Sequence, residues 1–283
     1  MYRKILEVII SFMFEYLGIR YLWRKIRPLN EYKQPPSVFF IWVIGIYFAM
    51  YGIASQRYEN RRDTLENKVN IVIAQLDTPY TKKIMARIPL LQKKHCSVKP
   101  EVVNPLSIIH SLFGKEEPND EITEDLKEII IDRKNDLEGV VLMGINLEGA
   151  VLEKVQLKGS YLKDANLKKT YFSNGNLEGC ILSNANLSGA ILYDVNLKRA
   201  VLWGTILEEE AHLEFAHLEG ADLTGAHLKN ADLTGAKINK DTNFRDTDLE
   251  NTIWINGKKC EKGSIGKCIQ DGKEIDFKDY FVK

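Results

Sequence analysis

Ala185-Asn186-Leu187-Ser188-Gly189-Ala190-Ile191-Leu192-Tyr193-Asp194-Val195-Asn196-Leu197-Lys198-Arg199 is three five-residue phrases set end to end. The rhythm holds from Asn135 to about Asn256. A Leu-type residue returns at every fifth position from Leu137 to Leu207, with Phe172 as its one aromatic member. One extra residue then shifts the phase, and the series resumes from Leu213 to Ile238. After a second slip it closes with Phe244, Leu249 and Trp254. Two residues before most of these stands a small side chain: Ala150, Ala165, Cys180, Ala190, Ala211, Ala221 and Ala231, then Thr242, Thr247 and Thr252. A fixed period is read before anything else, because it dictates the architecture.

Five residues match neither the 3.6 period of a helix nor the two-residue period of a flat strand. They match a chain that turns a corner at every phrase, so that four phrases close a square coil. The large apolar residue and the small one two before it then point into a narrow shaft, and the other three point out. Leu beside Ala is what a shaft too narrow for two large side chains requires. About six coils stacked at the strand spacing make a rod roughly 29 Å tall.

Ala221-Asp222-Leu223-Thr224-Gly225 and Ala231-Asp232-Leu233-Thr234-Gly235 resemble the Ala-(Asp/Asn)-Leu-x-x unit of the pentapeptide-repeat family. The resemblance covers a little under half the chain. It implies an all-β solenoid, a right-handed quadrilateral β-helix, and little about activity, because fold does not fix function. The slips after Leu207 and Ile238 depart from the strict pattern. They read either as bulges at a corner or as a loop re-aimed for a partner.

The formal net charge is zero, which argues against nucleic-acid binding by electrostatics. Between Asp132 and Glu250 there are 19 acidic and 13 basic residues, a modest acidic excess on the rod.

Upstream, Gln34–Gln56 carries no charge and Ser37–Ala54 is almost wholly apolar. Such a length spans a bilayer once, giving a transmembrane helix over 35–56, with Pro35-Pro36 where a helix can start. Residues 1–30 combine Ile5, Val8, Ile9, Phe12 and Leu17 with a polar stripe at Lys4, Glu7, Ser11 and Glu15. They read as an amphipathic helix at the membrane interface. Basic residues are more frequent before the span than just after it, which favours a cytoplasmic N-terminus and an exported β-helix. The expected address is a bacterial inner membrane, crossed once.

Residues 57–120 read as a helical and irregular connector. Tyr58, Leu65 and Val72 recur at sevens in its first part. They would pair as a coiled coil in a homo-oligomer or pack against their own chain. Residues 121–134, with Ile122, Leu126, Ile129 and Ile130 on one helical face, form the N-terminal cap that an open solenoid end requires. Residues 257–283 form the C-terminal cap, closed by Ile275, Phe277, Tyr280 and Phe281.

Residues twenty apart stack on one side of a square coil. Val141, Tyr161, Ile181 and Val201 therefore line one side, with Met143 and Trp203 added to it. Val151, Tyr171 and Ile191 line the opposite side together with Tyr193. Contiguous exposed apolar area marks a contact surface; the same residues also suit a pleated surface for its own sake. Asn and Gln (Asn146, Gln156, Asn166, Asn176) alternate with these stripes. Lys158, Glu178 and Lys198, and Glu148 with Lys168, read as exposed charge ladders that keep register.

Reactive chemistry is scarce. His212 and His217 are a quarter turn apart and do not converge on a metal. Cys180 fills an inward small-residue position. No phosphate loop or nucleophile–base motif occurs, so neither catalysis nor a cofactor is expected. Similar Cys-bracketed tails follow the repeats in some bacterial family members, which makes Cys260 and Cys268 a candidate disulfide if this end is exported. Reduced thiols, or a metal site short of ligands, are the alternatives. The leading functional expectation is a membrane-anchored, non-enzymatic scaffold whose sides bind a protein. A DNA-mimicking topoisomerase inhibitor or protector and an accessory subunit of a membrane assembly are the other two.

Overall fold

The computed structural model describes residues 37–75, 81–93, 95–97, 99–113, 116–118 and 120–282. The expected interfacial helix at 1–30 lies outside them. Element order is α1 (Ser37–Gln75), α2 (Thr81–Met85), α3 (Ile88–Gln92), β1 (His95–Ser97), α4 (Pro105–Phe113), β2 (Glu116–Pro118) and α5 (Asp120–Asp132). The square coils follow, then β3 (Ile269–Gln270), β4 (Lys273–Glu274) and a 3-10 turn at Phe277–Tyr280. β1 pairs with β2, and β3 with β4. The chain divides into two compact units, a smaller one from the described residues of 1–62 and 96–117 and a larger one from 63–95 and 118–283.

In the smaller unit, Tyr47, Ala54 and Ile108 are buried, with Val43, Met50, Tyr51 and Leu112 packed on them. Positions 43, 47, 50, 51 and 54 fall on one helical stripe. Tyr47 Oη donates to the Val102 carbonyl at 2.6 Å. Arg57 donates to the Leu112 carbonyl at 2.9 Å, satisfying an acceptor in the last turn of α4. Outside that stripe, the stretch of α1 from Trp42 to Ile53 is apolar too: Trp42 is 64% exposed, and Phe48 and Ile53 are exposed as well. Among the described residues, however, no helix is long and apolar enough to cross a membrane. From Trp42, its first described side chain, α1 runs into Arg57, Glu59, Arg61, Arg62 and Asp63. The span expected at 35–56 therefore finds no support in the described residues; the apolar side chains of 38–41 that would complete it are not among them.

In the larger unit, Leu65, Val69 and Val72 of α1 are buried, as are Ile84, Met85 and Ile88, and Ile122, Leu126 and Ile130 of α5. Tyr58 is buried as well, in the smaller unit. All three residues of the seven-residue seam, Tyr58, Leu65 and Val72, are thus buried within the single chain.

Each five-residue phrase forms the same corner. The amide three residues after a central Leu donates to that Leu's carbonyl, as Ala150 does to Leu147 at 3.0 Å. The second residue after the Leu is left-handed: Gly144, Gly149 and Gly159 have φ of 65, 68 and 65°. These are type II turns, which need positive φ at that site. Only the residue before each Leu makes a bridge to the next coil, so the walls consist of isolated parallel bridges rather than long strands. That departs from an ordinary all-β reading, and the reason is that a chain turning every fifth residue has no room for more.

The central side chains are buried throughout, and so are the small ones beside them, except Thr242 at the second slip, which is half-buried. Polar residues at the small position are satisfied inside the shaft. Ser160, Thr170, Thr205, Thr247 and Thr252 each donate to a Leu carbonyl of the coil before, Thr170 to Leu147 at 2.9 Å for example. The Cys180 thiol does the same to Leu157 at 2.7 Å. Burial pushes that thiol up to about 12, so it is inert at neutral pH.

Both ends are capped. Lys134, just past α5, accepts from the Gln156 amide at 2.8 Å. Gln92 of α3 accepts from the Asn146 amide at 2.8 Å and donates to its carbonyl at 2.9 Å, taking the place of a missing neighbouring strand. At the far end the tail runs over the last coil and accepts from Leu249, Asn251 and Trp254. Phe281 bridges Ile238 in parallel. Trp254 and Phe277 stack at 4.7 Å with Phe244 edge-on to both, closing the shaft. Cys260 and Cys268 are bonded and buried beneath this cap.

Candidate interaction faces

The twenty-residue stacking creates four ladders. The first runs Val141, Tyr161, Ile181, Val201, Asp222, Asn243. The second runs Asn146, Asn166, Asn186, Ile206, His227, Asp248. The third runs Val151, Tyr171, Ile191, His212, Asp232, Ile253, and the fourth Gln156, Asn176, Asn196, His217, Lys237. Both apolar stripes therefore stand as uninterrupted columns on opposite sides. Val141, Met143, Tyr161 and Trp203 are exposed on the first, Val151, Tyr171 and Tyr193 on the third, while Ile181, Ile191 and Val201 are half-buried. Each column turns polar in the upper coils, at Asp222 and at His212.

Asn and Asp before the central Leu have a local task that their outward position conceals. Their side chains accept from the amide two residues on, as Asp232 does from Thr234 at 2.8 Å and Asn186 from Ser188 at 3.0 Å. This Asx geometry braces the corner. They also link coils: Asn166 donates to Asn146 at 3.0 Å and Asn196 to Asn176 at 3.1 Å.

The charge ladders differ in detail from a simple stack. Lys158 pairs with Glu178 at 3.4 Å, but Lys198 pairs upward with Glu219 at 3.1 Å. Lys168 meets Glu209 at 2.9 Å, and the hydrogen bond to Glu209 raises its ammonium above the usual lysine range. Glu148, expected against Lys168, accepts instead from Asn166 at 3.1 Å. The difference arises at the first slip. Glu209 and Glu210 are both left-handed and absorb the extra residue at a corner, bringing a carboxylate across to Lys168. At the second slip, Asn239 braces the wider corner by accepting from Gly220 and Asp241. The walls keep their register through both, with Ile191 bridging His212 and Asp222 bridging Asn243.

His212 lies on the third side and His217 on the fourth, beside Glu214 and Glu219 respectively. Among the described residues no three His, Cys, Asp or Glu side chains are grouped to hold a metal. Two features escaped the sequence reading. One is Gln92, a lone residue in a short helix with no repeat to flag it. The other is Phe215, a bulky aromatic at a left-handed corner, φ 60°, where glycine and short polar residues predominate. Glycine recurs two residues after many of the central Leu residues, as at Gly144, Gly149, Gly225 and Gly235, and that recurrence was the signal that would have exposed it.

A four-walled repeat solenoid, built on buried Leu and small residues and offering its sides rather than a cleft, defines a class of β-helical proteins. The family profile described as pentapeptide repeats matches in eight copies over residues 136–168, 165–204 and 209–251. Rfr23 from the cyanobacterium Cyanothece 51142 is 30% identical over 47% of this chain and 99% of its own, with a TM-score of 0.26. The chain belongs to the pentapeptide-repeat family. HetL from Nostoc sp. strain PCC 7120, a pentapeptide-repeat protein involved in heterocyst differentiation regulation, is 29% identical over 44% of this chain, with a TM-score of 0.27. The match spans 52% of HetL's length. QnrB1, a plasmid-mediated fluoroquinolone resistance protein, is 20% identical over 41% of this chain and 68% of its own, with a TM-score of 0.21. No curated protein matches the chain significantly.

Proposed function

We propose that this chain is a non-enzymatic scaffold whose β-helix offers two opposite apolar sides to a protein partner, held at a membrane by segment 35–56. The observation that carries the reading is the pair of unbroken apolar columns, Val141–Val201 and Val151–Ile191, with Trp203 and Tyr193 exposed beside them. A folded monomer rarely leaves such columns open without a use for them. The DNA-mimic alternative fares worse, since 19 acidic against 13 basic residues between Asp132 and Glu250 leave the rod a net excess of only six negative charges.

Photo-crosslinking amino acids placed at Tyr161, Trp203 and Tyr171 of the full chain, expressed in cells, test the scaffold. Discrete adducts from these positions and none from Lys158 are expected. Equal labelling at all four would sink the reading.

Support for anchoring comes from the charge-free run Gln34–Gln56 in the sequence. Support for an exported rod comes from the Cys260–Cys268 bond, a feature of oxidising compartments. With a membrane-impermeant thiol reagent on intact cells, Cys260 and Cys268 are expected to label only after reduction. Labelling that requires cell lysis would reverse the orientation.

A further inference from the structure

We propose that the third side carries a site for a cationic side chain, the guanidinium of a basic protein segment, formed by Tyr193, Phe215 and Glu214. The proposal rests on the scaffold reading, of which it names one side's partner chemistry.

Among the described residues, Phe215 is the only aromatic of the non-glycine residues that adopt positive φ. Its backbone conformation is one that a bulky L-residue resists and glycine accepts freely. The residue is nonetheless 45% exposed, so burial does not compensate for that conformation. The ring is held in place on two sides. Tyr193, 46% exposed, meets it edge-on at 5.4 Å and 67°. Gly235 lies against it so closely that a Cβ there would fall 2.7 Å from Phe215 Cε1. A strained, exposed and immobilised ring is a feature expected of a contact site rather than of a corner.

Glu214, next in the chain, supplies the charge. Its Oε1 lies 3.0 Å from His212 Nδ1, while its Oε2 is buried without a hydrogen-bond partner. The Glu214 side chain is 22% exposed on the side that also exposes Tyr193 and Phe215, so its charge favours a ligand that brings N–H groups and positive charge together. A guanidinium does both, stacking flat on an aromatic face and donating to a carboxylate. The surrounding charge agrees. Asp194 and Asp232 lie on the same side, and its one lysine, Lys154, is taken up by Glu153 at 3.7 Å.

The test uses the purified full chain and an acetylated, amidated Gly-Arg-Gly-Arg-Gly peptide, followed by aromatic NMR shifts. Saturable shifts at Tyr193 and Phe215 that weaken with salt are expected. Phe215→Gly, which relaxes the backbone, should weaken binding at least tenfold without lowering Tm. Glu214→Gln should weaken it similarly, whereas Trp203→Ser on the first side should leave it unchanged. No saturable shift, parent-like binding by both Phe215→Gly and Glu214→Gln, or equal binding of the Gly-Glu-Gly-Glu-Gly peptide or of a neutral oligosaccharide would overturn the proposal. If adducts still form at Tyr161 and Trp203 in that event, the scaffold stands and only the cation site falls.

Discussion

Gly149 has a φ of +68°, and a Cβ added there meets no heavy atom within 4 Å. Gly149→Ala therefore isolates the backbone cost of the left-handed corner, and a loss of about 1–2 kcal/mol is expected in chemical denaturation. A loss near zero would mean that the corners are not left-handed in solution. Cys180 probes the shaft. Its neutral thiol is favoured in the fold, so its contribution is full below its ordinary value of 9.0 and fades as pH rises toward about 12. Cys180→Ala should flatten the alkaline loss of stability over that window, while Cys180→Leu, overfilling the shaft, should cost about 1–3 kcal/mol at neutral pH. Alkylation of native Cys180 at pH 8 is expected to proceed only as fast as the rod unfolds; rapid labelling would contradict the burial seen here.

Among the elements, the repeat was the most legible, because its period writes the same geometry into every phrase. Leu137 through Trp254 and the small residues beside them were assigned to the shaft from spacing alone, and the two apolar columns followed from counting twenties. The α5 cap was visible through the spacing of Ile122, Leu126 and Ile130. What spacing could not reveal were contacts made once. Gln92 replaces a strand through its side-chain amide, and Glu209 reaches Lys168 only because a slip widens one corner. Neither depends on periodicity. Phe215 is a different case: the period marks its place as a corner where glycine recurs, and only the strain itself needed the structure. Gln92→Leu should leave both backbone groups of Asn146 unpaired, costing about 1–3 kcal/mol. Hydrogen exchange at Asn146 should accelerate while the upper coils keep their protection. Uniform acceleration would instead make the rod one cooperative block.

For the molecule as a whole, stability is a sum over neighbouring coils with the caps at its ends. The Cys260–Cys268 bond closes a short loop, eight residues apart in sequence, over the last coil. Its reduction should lower stability by about 2–3 kcal/mol. The first amides to lose protection should be those of Leu249, Asn251 and Trp254, which the tail covers. Unchanged melting under reductant would show that the aromatic plug suffices alone. The coil length itself limits how such a rod can change over time. One circuit takes twenty residues, so duplicating that number adds a storey and leaves every column aligned. Adding five would rotate the upper storeys by a quarter circuit and set aliphatic columns against amides. Single additions at a bend, as at 208–210 and 239–241, disturb neither. Length variation in this architecture is thus quantised: one residue at a bend, or a whole circuit.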